Sequence, residues 1–307
     1  MKTVCKECQK EFETRKGLHL HLKAHFSSIG EYYIKFNPKK DLYSGEPIHF
    51  KKYEQYEESD FNSYANYLSW ISSADPQEAK KYILSKAELR FGAKGVKKSL
   101  PNVYYRLAEM ACIDDYKRLW GSYGQFIKEV GLENGYVNML PKDFWDLDNS
   151  DIEIFVDTRE QKPLQFVNGI QNKLDFGDYT AGGELYSKTF VDRKALGDFK
   201  QTFGAGAERF AREMDRCVHF KSYMFVVVES SIDFIEEDNK HSKFKSNMGY
   251  VWHNVRNMIE KYPDNLQFIF AHSRGGAQKI IPKILYHGTS LWRTDLQYFI
   301  DKKINVG

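Results

Sequence analysis

The sequence has 307 residues, with 45 lysines and arginines against 42 aspartates and glutamates, and a formal net charge of +3. Aromatic residues make up 15% of it and hydrophobic residues 42%, which excludes a mainly disordered chain because such a composition can bury a large core. No apolar run reaches the length of about 18 residues that a membrane span needs, and the first residues turn polar too soon for a signal peptide. We therefore expect a cytoplasmic protein of about two domains with no membrane partner.

The four cysteines are too few for a disulfide framework in so long a chain, which indicates a reducing compartment. Cys5 and Cys8 form a Cys-x2-Cys pair, and His21 and His25 follow one helical turn apart. Two thiolates on a tight turn and two imidazoles on a helix can surround zinc tetrahedrally. A ββα unit of this size cannot bury enough core to fold alone, so zinc would supply its folding free energy. The spacing matches the two-Cys, two-His zinc-finger pattern without departure.

The helix of this finger offers little for reading a DNA sequence. Its base-reading positions are Thr14, Gly17 and Leu20, and neither glycine nor leucine can hydrogen-bond a base edge. Arg15 and Lys16 could instead bind phosphates. We therefore expect the finger to help dock the protein on DNA, with a protein-binding finger as the alternative.

Glycines and prolines interrupt residues 29–74, which predicts a loop-rich connector with at most one strand pair. Helices are predicted within 75–92, 104–113 and 122–131, from capping residues that open them and glycines that close them. This mainly helical middle region, 75–140, is followed by a predicted linker at 143–151.

Basic residues exceed acidic ones over 76–106, as on a surface that follows phosphates, and Lys94, Lys97 and Lys98 are its candidate DNA-binding residues. Residues 119–132 resemble a small helical repeat found in phage and homing-endonuclease-associated proteins. The alternatives are a solvated helix face, or a helical spacer packed against its neighbours.

Strands alternate with helices in the last half of the sequence, which predicts an α/β domain over 150–300 with a central sheet flanked by helices. The predicted strands are 152–156, 224–228 and 266–270, with another that begins near 185 after a hairpin turn at 182–183. The predicted helices are 207–222, 246–261 and 274–286.

Polar residues gather at the ends of the early strands. Asp157 follows the first strand, Asp178 opens the next, and Asp192, Arg193 and Lys194 end another. Because side chains at i and i+2 share a strand face, Asp192 and Lys194 point one way and Arg193 the other. Carboxylates on neighbouring strands can hold Mg²⁺, and an ammonium beside them can orient water and stabilise phosphate charge. This is the PD-(D/E)xK arrangement of many nucleases.

Three motifs in order, Val156-Asp157-Thr158-Arg159-Glu160, Gly177-Asp178-Tyr179 and Asp192-Arg193-Lys194-x3-Asp198, resemble the nuclease domain of the XPF family of structure-selective endonucleases. The resemblance covers about residues 150–290 and implies a restriction-endonuclease-like fold. It assigns the metal, magnesium or manganese, to Asp157, Asp178 and Asp192, and catalysis to these acids with Lys194, Arg193 and Glu160. Arg159 and Asp198 would be further motif residues, and a homodimer through the nuclease domain is implied.

This sequence departs from the family in two respects. Asp192 stands where the family has glutamate, and its shorter side chain would shift the metal by about one methylene. No tandem helix-hairpin-helix domain follows, so we expect the finger and the basic helices to hold the DNA.

The sequence therefore predicts a metal-dependent DNA endonuclease, of homing or recombination type, working in the bacterial cytoplasm if it is encoded by a bacteriophage. The alternatives are a structure-selective flap or junction nuclease and a non-catalytic DNA-binding protein on a nuclease fold. RNA as the substrate also stays open.

Overall fold

The computed structural model describes residues 2–137, 139–148 and 152–306, with side chains up to residue 303. The chain divides into two compact units, Met1–Tyr82 and Ile83–Gly307. The predicted domain boundaries at residues 28, 74, 140 and 150 stay predictions.

The first unit opens with the expected ββα module. Strands β1 (Thr3–Val4) and β2 (Glu11–Phe12) pair antiparallel, and helix α1 (Arg15–Leu22) follows. Three more helices come next, α2 (Ile29–Phe36), α3 (Tyr53–Glu58) and α4 (Tyr64–Ser73). These helices take up about half of the segment predicted as a loop-rich connector, and its strand pair is reduced to one bridge between Lys40 and Pro47 among the described residues.

Helix α2 begins at Ser28, which caps it. The Ser28 hydroxyl accepts a hydrogen bond from Glu31 N–H, and the Glu31 carboxylate accepts one from Ser27 N–H. Helix α2 then packs Tyr32 and Tyr33 against Leu18 and Leu22 of α1 in one aromatic-rich core. The ββα module, α2 and α3 thus share a core.

Helix α5 (Pro76–Lys94) crosses the boundary between the units, and α6 (Asn102–Leu107), α7 (Ile113–Trp120) and α8 (Tyr123–Glu129) follow. The single helix predicted over 104–113 is wrong, because Glu109 adopts a left-handed φ of 53° and separates α6 from α7. The predicted start of α8 is confirmed, since the Ser122 hydroxyl accepts a hydrogen bond from Gln125 N–H.

The second unit is built on a mixed six-stranded sheet in the order β4-β3-β5-β6-β7-β8. Its strands are β3 (Ile154–Asp157), β4 (Gly169–Asn172), β5 (Tyr179–Ala181), β6 (Thr189–Lys194), β7 (Tyr223–Val228) and β8 (Leu266–Phe270). The helices are α9 (Leu196–Phe203), α10 (Ala207–His219), α11 (Ile232–His241), α12 (Met248–Lys261), α13 (Arg274–His287) and α14 (Leu296–Val306). The predicted α/β class, with a central sheet and helices, is confirmed.

Strand β5 pairs antiparallel with both β3 and β6, whereas β6, β7 and β8 run parallel. Strands β7 and β8 are buried at every position, which explains why they read as continuous apolar runs. Strand β6 begins at Thr189, later than predicted, because residues 183–185 form a short 3₁₀ turn.

The segment 143–151, predicted as a linker, is partly buried. Phe144 is fully buried in the core of the second unit, and residues 149–151 lie outside the described residues. Within the part of the chain that the structure describes, no helix has both the length and the apolar character needed to cross a bilayer.

Candidate active site and metal centres

The sheet topology brings the three predicted motifs to one edge of the sheet. The end of β3, the residue before β5 and the end of β6 meet there because these strands alternate in direction. Asp157 N–H donates to the Asp178 carbonyl oxygen at 2.8 Å, and Asp178 N–H donates to the Val191 carbonyl oxygen at the same distance. Backbone hydrogen bonds thus hold the motif segments side by side.

Asp178, Asp192 and Lys194 form a largely buried charge cluster. Lys194 Nζ lies 2.6 Å from Asp192 Oδ1, and Arg193 N–H donates to Asp178 Oδ2 at 2.7 Å. Asp192 Oδ2 is buried and accepts no hydrogen bond from the described residues. A buried carboxylate oxygen without a donor is costly, and a bound cation would remove that cost.

The electrostatics of the cluster also favour a bound cation. Burial, followed by the charge of Asp192, raises the pKa of Asp178 to about 8, although Lys194 acts to lower it. Burial opposes the charge of Lys194, but Asp192 and Asp178 outweigh it and raise its pKa. Two carboxylates and one ammonium therefore leave the cluster short of one positive charge when both acids are ionised.

Asp157 is held differently from the other two acids. It accepts hydrogen bonds from Arg159 N–H at 2.7 Å, from Arg159 Nε at 2.8 Å and from Leu174 N–H at 3.2 Å. Burial acts to raise its pKa, but these hydrogen bonds, those from Arg159 above all, lower it. Among the described residues, the carboxylate oxygens of Asp157, Asp178 and Asp192 do not all lie within 4.8 Å of one another. The assignment of Asp157 to the metal stays a prediction.

Arg193 points away from this cluster, as the strand alternation requires, into a buried ion-pair network. Its guanidinium donates to Glu229 Oε1 at 2.6 Å and to Glu160 Oε1 at 3.1 Å. Arg274 reaches the same Glu229 oxygen at 3.1 Å. The predicted site residues Arg193 and Glu160 therefore lie on the face of β6 opposite the acid cluster and form ion pairs there. Asp198 lies 4.0 Å from Lys194, at the rim of the cluster.

Two residues of this region escape the sequence prediction. Glu229 follows β7 directly, so the rule that polar residues at strand ends form a site could have found it. Glu213 lies on α10 and accepts a hydrogen bond from Gly177 N–H at 3.1 Å. Gly177 has a φ of +65°, and it precedes Asp178, so Glu213 holds the turn that aims the Asp178 side chain. No local pattern marks Glu213.

In the first unit, the ligand atoms of Cys5, Cys8, His21 and His25 all lie within 4.8 Å of one another. His21 Nε2 is 3.2 Å from His25 Nε2 and 3.1 Å from Cys8 Sγ. Zinc bound tetrahedrally would hold two imidazole nitrogens about 3.3 Å apart. The donor set and its spacing therefore fit zinc. Within the described residues, no other group of three or more cysteine, histidine or acidic ligands comes so close together.

The finger helix uses part of its predicted DNA-binding set for packing. The Arg15 guanidinium lies 4.3 Å from the centre of the Tyr53 ring, and the Thr14 hydroxyl caps α1 by accepting from Gly17 N–H. Lys16 is exposed, and Leu20 is 61% exposed. Phosphate contact by Arg15 stays a prediction, and its guanidinium is already engaged within the unit.

Two of the three candidate lysines of the middle region have acidic neighbours within the second unit. Lys94 Nζ lies 3.2 Å from Glu260 Oε2, and Lys98 Nζ lies 2.9 Å from Asp264 Oδ2. Lys97 is exposed. These contacts engage Lys94 and Lys98 within the unit, and the DNA-binding role of the three lysines stays a prediction.

No protein-family model matches the chain, and no curated protein matches it. Among solved structures, the chain is similar to XPF from Aeropyrum pernix, with 16% identity and a TM-score of 0.35 over 48% of this chain and 71% of that one. It is also similar to XPF from Aeropyrum pernix in complex with DNA, with 16% identity and a TM-score of 0.32 over 44% of this chain and 64% of that one.

Proposed function

We propose that this protein is a metal-dependent endonuclease that hydrolyses phosphodiester bonds in DNA. The observation that carries the proposal is the cluster of Asp178, Asp192 and Lys194, in which a buried carboxylate oxygen lacks a donor. Two acids and a lysine at one end of a sheet form a site for a divalent cation next to a fixed positive charge.

Mg²⁺ or Mn²⁺ fits this donor set, because both cations prefer carboxylate oxygen and keep several waters as ligands. Asp178 and Asp192 would hold the cation, with Asp157 joining them if Arg159 releases it. When bound, the cation supplies Lewis-acid activation of the phosphodiester. Lys194 would stabilise the negative charge that develops on the phosphate, and its raised pKa keeps it protonated for that task.

Other residues would hold Asp178, Asp192 and Lys194 in position. Arg193, between Glu160 and Glu229, fixes β6 so that Asp192 and Lys194 stay on one face. Glu213 would fix the Gly177–Asp178 turn. In the first unit, zinc on the four cysteine and histidine ligands would complete a finger whose exposed Lys16 can contact phosphate.

The finger favours a nuclease that selects the shape of DNA, as a flap or junction nuclease does, over one that reads a sequence. Gly17 has no side chain, Leu20 can offer only apolar contact, and the Thr14 hydroxyl accepts the hydrogen bond that caps α1. Thr14 is therefore the one base-reading position with a polar group, which is too little to specify a base sequence.

The test is cleavage of a labelled panel of linear duplex, supercoiled plasmid, single strand, flap and four-way junction, with Mg²⁺ or with EDTA. We expect Asp192→Asn and Lys194→Ala each to lose at least about 100-fold in rate, since each removes a group that stabilises the transition state. Matched RNA substrates test the choice of nucleic acid.

Lys261→Ala is the matched control, because Lys261 forms the same kind of lysine–aspartate pair with Asp215 on an exposed surface. It should cut at the wild-type rate. Cleavage that survives in EDTA, or in both cluster variants, would refute the assignment of the site. Binding without cleavage of any substrate would favour a non-catalytic DNA-binding protein.

A further inference from the structure

The loop between α11 and α12, residues 242–247, is held in a fixed shape. The Asn239 side chain clasps Ser246, donating to its carbonyl oxygen at 3.0 Å and accepting from its N–H at 2.9 Å. The Ser242 hydroxyl donates to the Phe244 carbonyl oxygen at 3.0 Å. A loop ordered in this way gives up little conformational entropy when it binds a partner.

The tip of this loop presents an aromatic ring between two cations. Phe244 is 83% exposed, more than any other large hydrophobic side chain in the described chain. Lys243 Nζ lies 5.9 Å from the centre of its ring. Lys243 and Lys245 are exposed, and neither has a carboxylate partner among the described residues, whereas Lys240 pairs with Glu237. An exposed ring flanked by free positive charge suits a partner that is both aromatic and polyanionic, which describes nucleic acid.

The loop is tied to elements that start at the candidate active site. Helix α9 begins two residues after Lys194, and its Lys200 donates to Asp238 of α11 at 2.7 Å. From Leu196 to Lys200 the helix rises about 6 Å. Ser242 N–H then donates to the Asp238 carbonyl oxygen at 2.8 Å, so the loop begins where this contact fixes α11. The loop is therefore connected to the end of β6, which carries the cluster, through the contact between α9 and α11.

We infer that residues 242–247 form a DNA-contacting prong, in which Phe244 stacks on an unpaired base and Lys243 and Lys245 contact the phosphates beside it. The identity of the partner rests on the proposed function, and the inference adds how an unpaired or displaced strand is recognised. Aromatic stacking favours an exposed base face over a paired one, whatever the base.

The experiment measures the binding of fluorescently labelled DNA in EDTA, so that cleavage plays no part. Two probes are compared, a fully paired duplex and the same duplex with a single-stranded flap. We expect Phe244→Ala to weaken binding to the flap DNA by about 5- to 100-fold and to leave duplex binding within about twofold. Phe244→Trp, which keeps a stacking face, should restore flap binding.

The lysines should show a different signature. Because each phosphate contact releases counterions, Lys243→Ser with Lys245→Ser should lower the slope of log affinity against log salt by about two for the flap DNA. The matched control is Phe220→Ala with Lys221→Ser, which removes a 54% exposed phenylalanine and an adjacent lysine beside the start of β7, away from the strand ends that carry the cluster. This control should bind both probes as the wild type does.

The inference is overturned if Phe244→Ala binds flap DNA as tightly as the wild type. It is also overturned if the change alters the oligomeric state by light scattering instead of DNA affinity, since Phe244 would then contact a second copy of the chain. A wild type that binds flap DNA through Phe244 but cuts nothing with Mg²⁺ would leave this inference standing while refuting the proposed nuclease.

Discussion

The two units carry their candidate metal ligands in contrasting surroundings. In the first, two thiols and two imidazoles come together on a small module whose strands have two residues each. In the second, carboxylates lie buried at the end of a six-stranded sheet whose core is already complete around them. Zinc on the cysteines and histidines would therefore be needed for the first unit to fold. Mg²⁺ or Mn²⁺ on the acids would serve catalysis, and the second unit would fold without it.

Removing zinc from the first unit is the most direct test of this difference between the two units. A chelator, or Cys8→Ser, should cost on the order of 10 kcal/mol of folding free energy there, because zinc would supply most of it. The loss should reach α2, since Tyr32 and Tyr33 share a core with Leu18 and Leu22.

Hydrogen exchange measures this residue by residue. Protection should vanish in α1 and α2 and persist in β6, β7 and β8, which serve as the internal control. A first unit that keeps its protection in the chelator would show that its aromatic core is sufficient without metal.

In the second unit, removing a ligand should do the opposite and stabilise the metal-free protein. Folding raises the pKa of Asp178 from 3.8 to about 8, so between these values the folded chain holds a proton that the unfolded chain has lost. Stability therefore falls as pH rises through this window. Asp178→Asn should remove the penalty and gain about 1–3 kcal/mol above pH 8.

Thermal unfolding with and without Mg²⁺ tests this expectation. The cation should raise the melting temperature of the wild type but leave Asp178→Asn unchanged, with Asp215→Asn as a surface control. An Asp178→Asn variant that is less stable at every pH would contradict the account of the cluster as a site of unrelieved charge.

A smaller effect is expected from Glu213, which acts on the cluster through the backbone. Glu213→Ala should lower the cleavage rate about tenfold, because the Gly177 N–H loses its acceptor and Asp178 its fixed direction. Glu213→Gln keeps an acceptor oxygen and should restore most of the rate. The concentration of Mg²⁺ needed for half activity should rise in the alanine variant only, with Glu208→Ala on the same helix as the control.

The smallest effect concerns Lys98, which follows helix α5. A double-mutant cycle on Lys98 and Asp264 should give a coupling of about 0.2–1 kcal/mol in unfolding free energy, as expected for an exposed ion pair. If Lys98 serves the fold in this way, Lys98→Ala should leave the salt dependence of DNA binding unchanged. A slope lowered by about one would return Lys98 to the DNA-binding set.

Much of the candidate site follows from the period of a strand. That Asp192 and Lys194 share a face, with Arg193 on the other, is dictated by the pleat, and their 2.6 Å contact agrees with it. The capture of Asp157 by Arg159 could not be predicted, because it depends on how the chain turns after β3. Glu213 was also out of reach, since α10 is brought to Gly177 only by packing.

The errors elsewhere have identifiable causes. Ser28, which caps α2, and Glu31 were present in the sequence, but glycines and prolines nearby favoured a connector of loops. The break between α6 and α7 rests on Glu109 in a left-handed conformation, which no residue preference announces. Tertiary packing overrides local propensity in such places.

The alternation along β6 has a consequence for how this region can change. Asp192 and Lys194 lie on the face of the acid cluster, and Arg193, between them, lies on the opposite face. Inserting or deleting one residue inside the strand would therefore move each side chain beyond that point to the other face. Arg193 would then be driven toward the acid cluster and a carboxylate toward Glu160 and Glu229. Random mutagenesis of this strand should accordingly recover substitutions far more often than length changes, whereas the turn before it can absorb both.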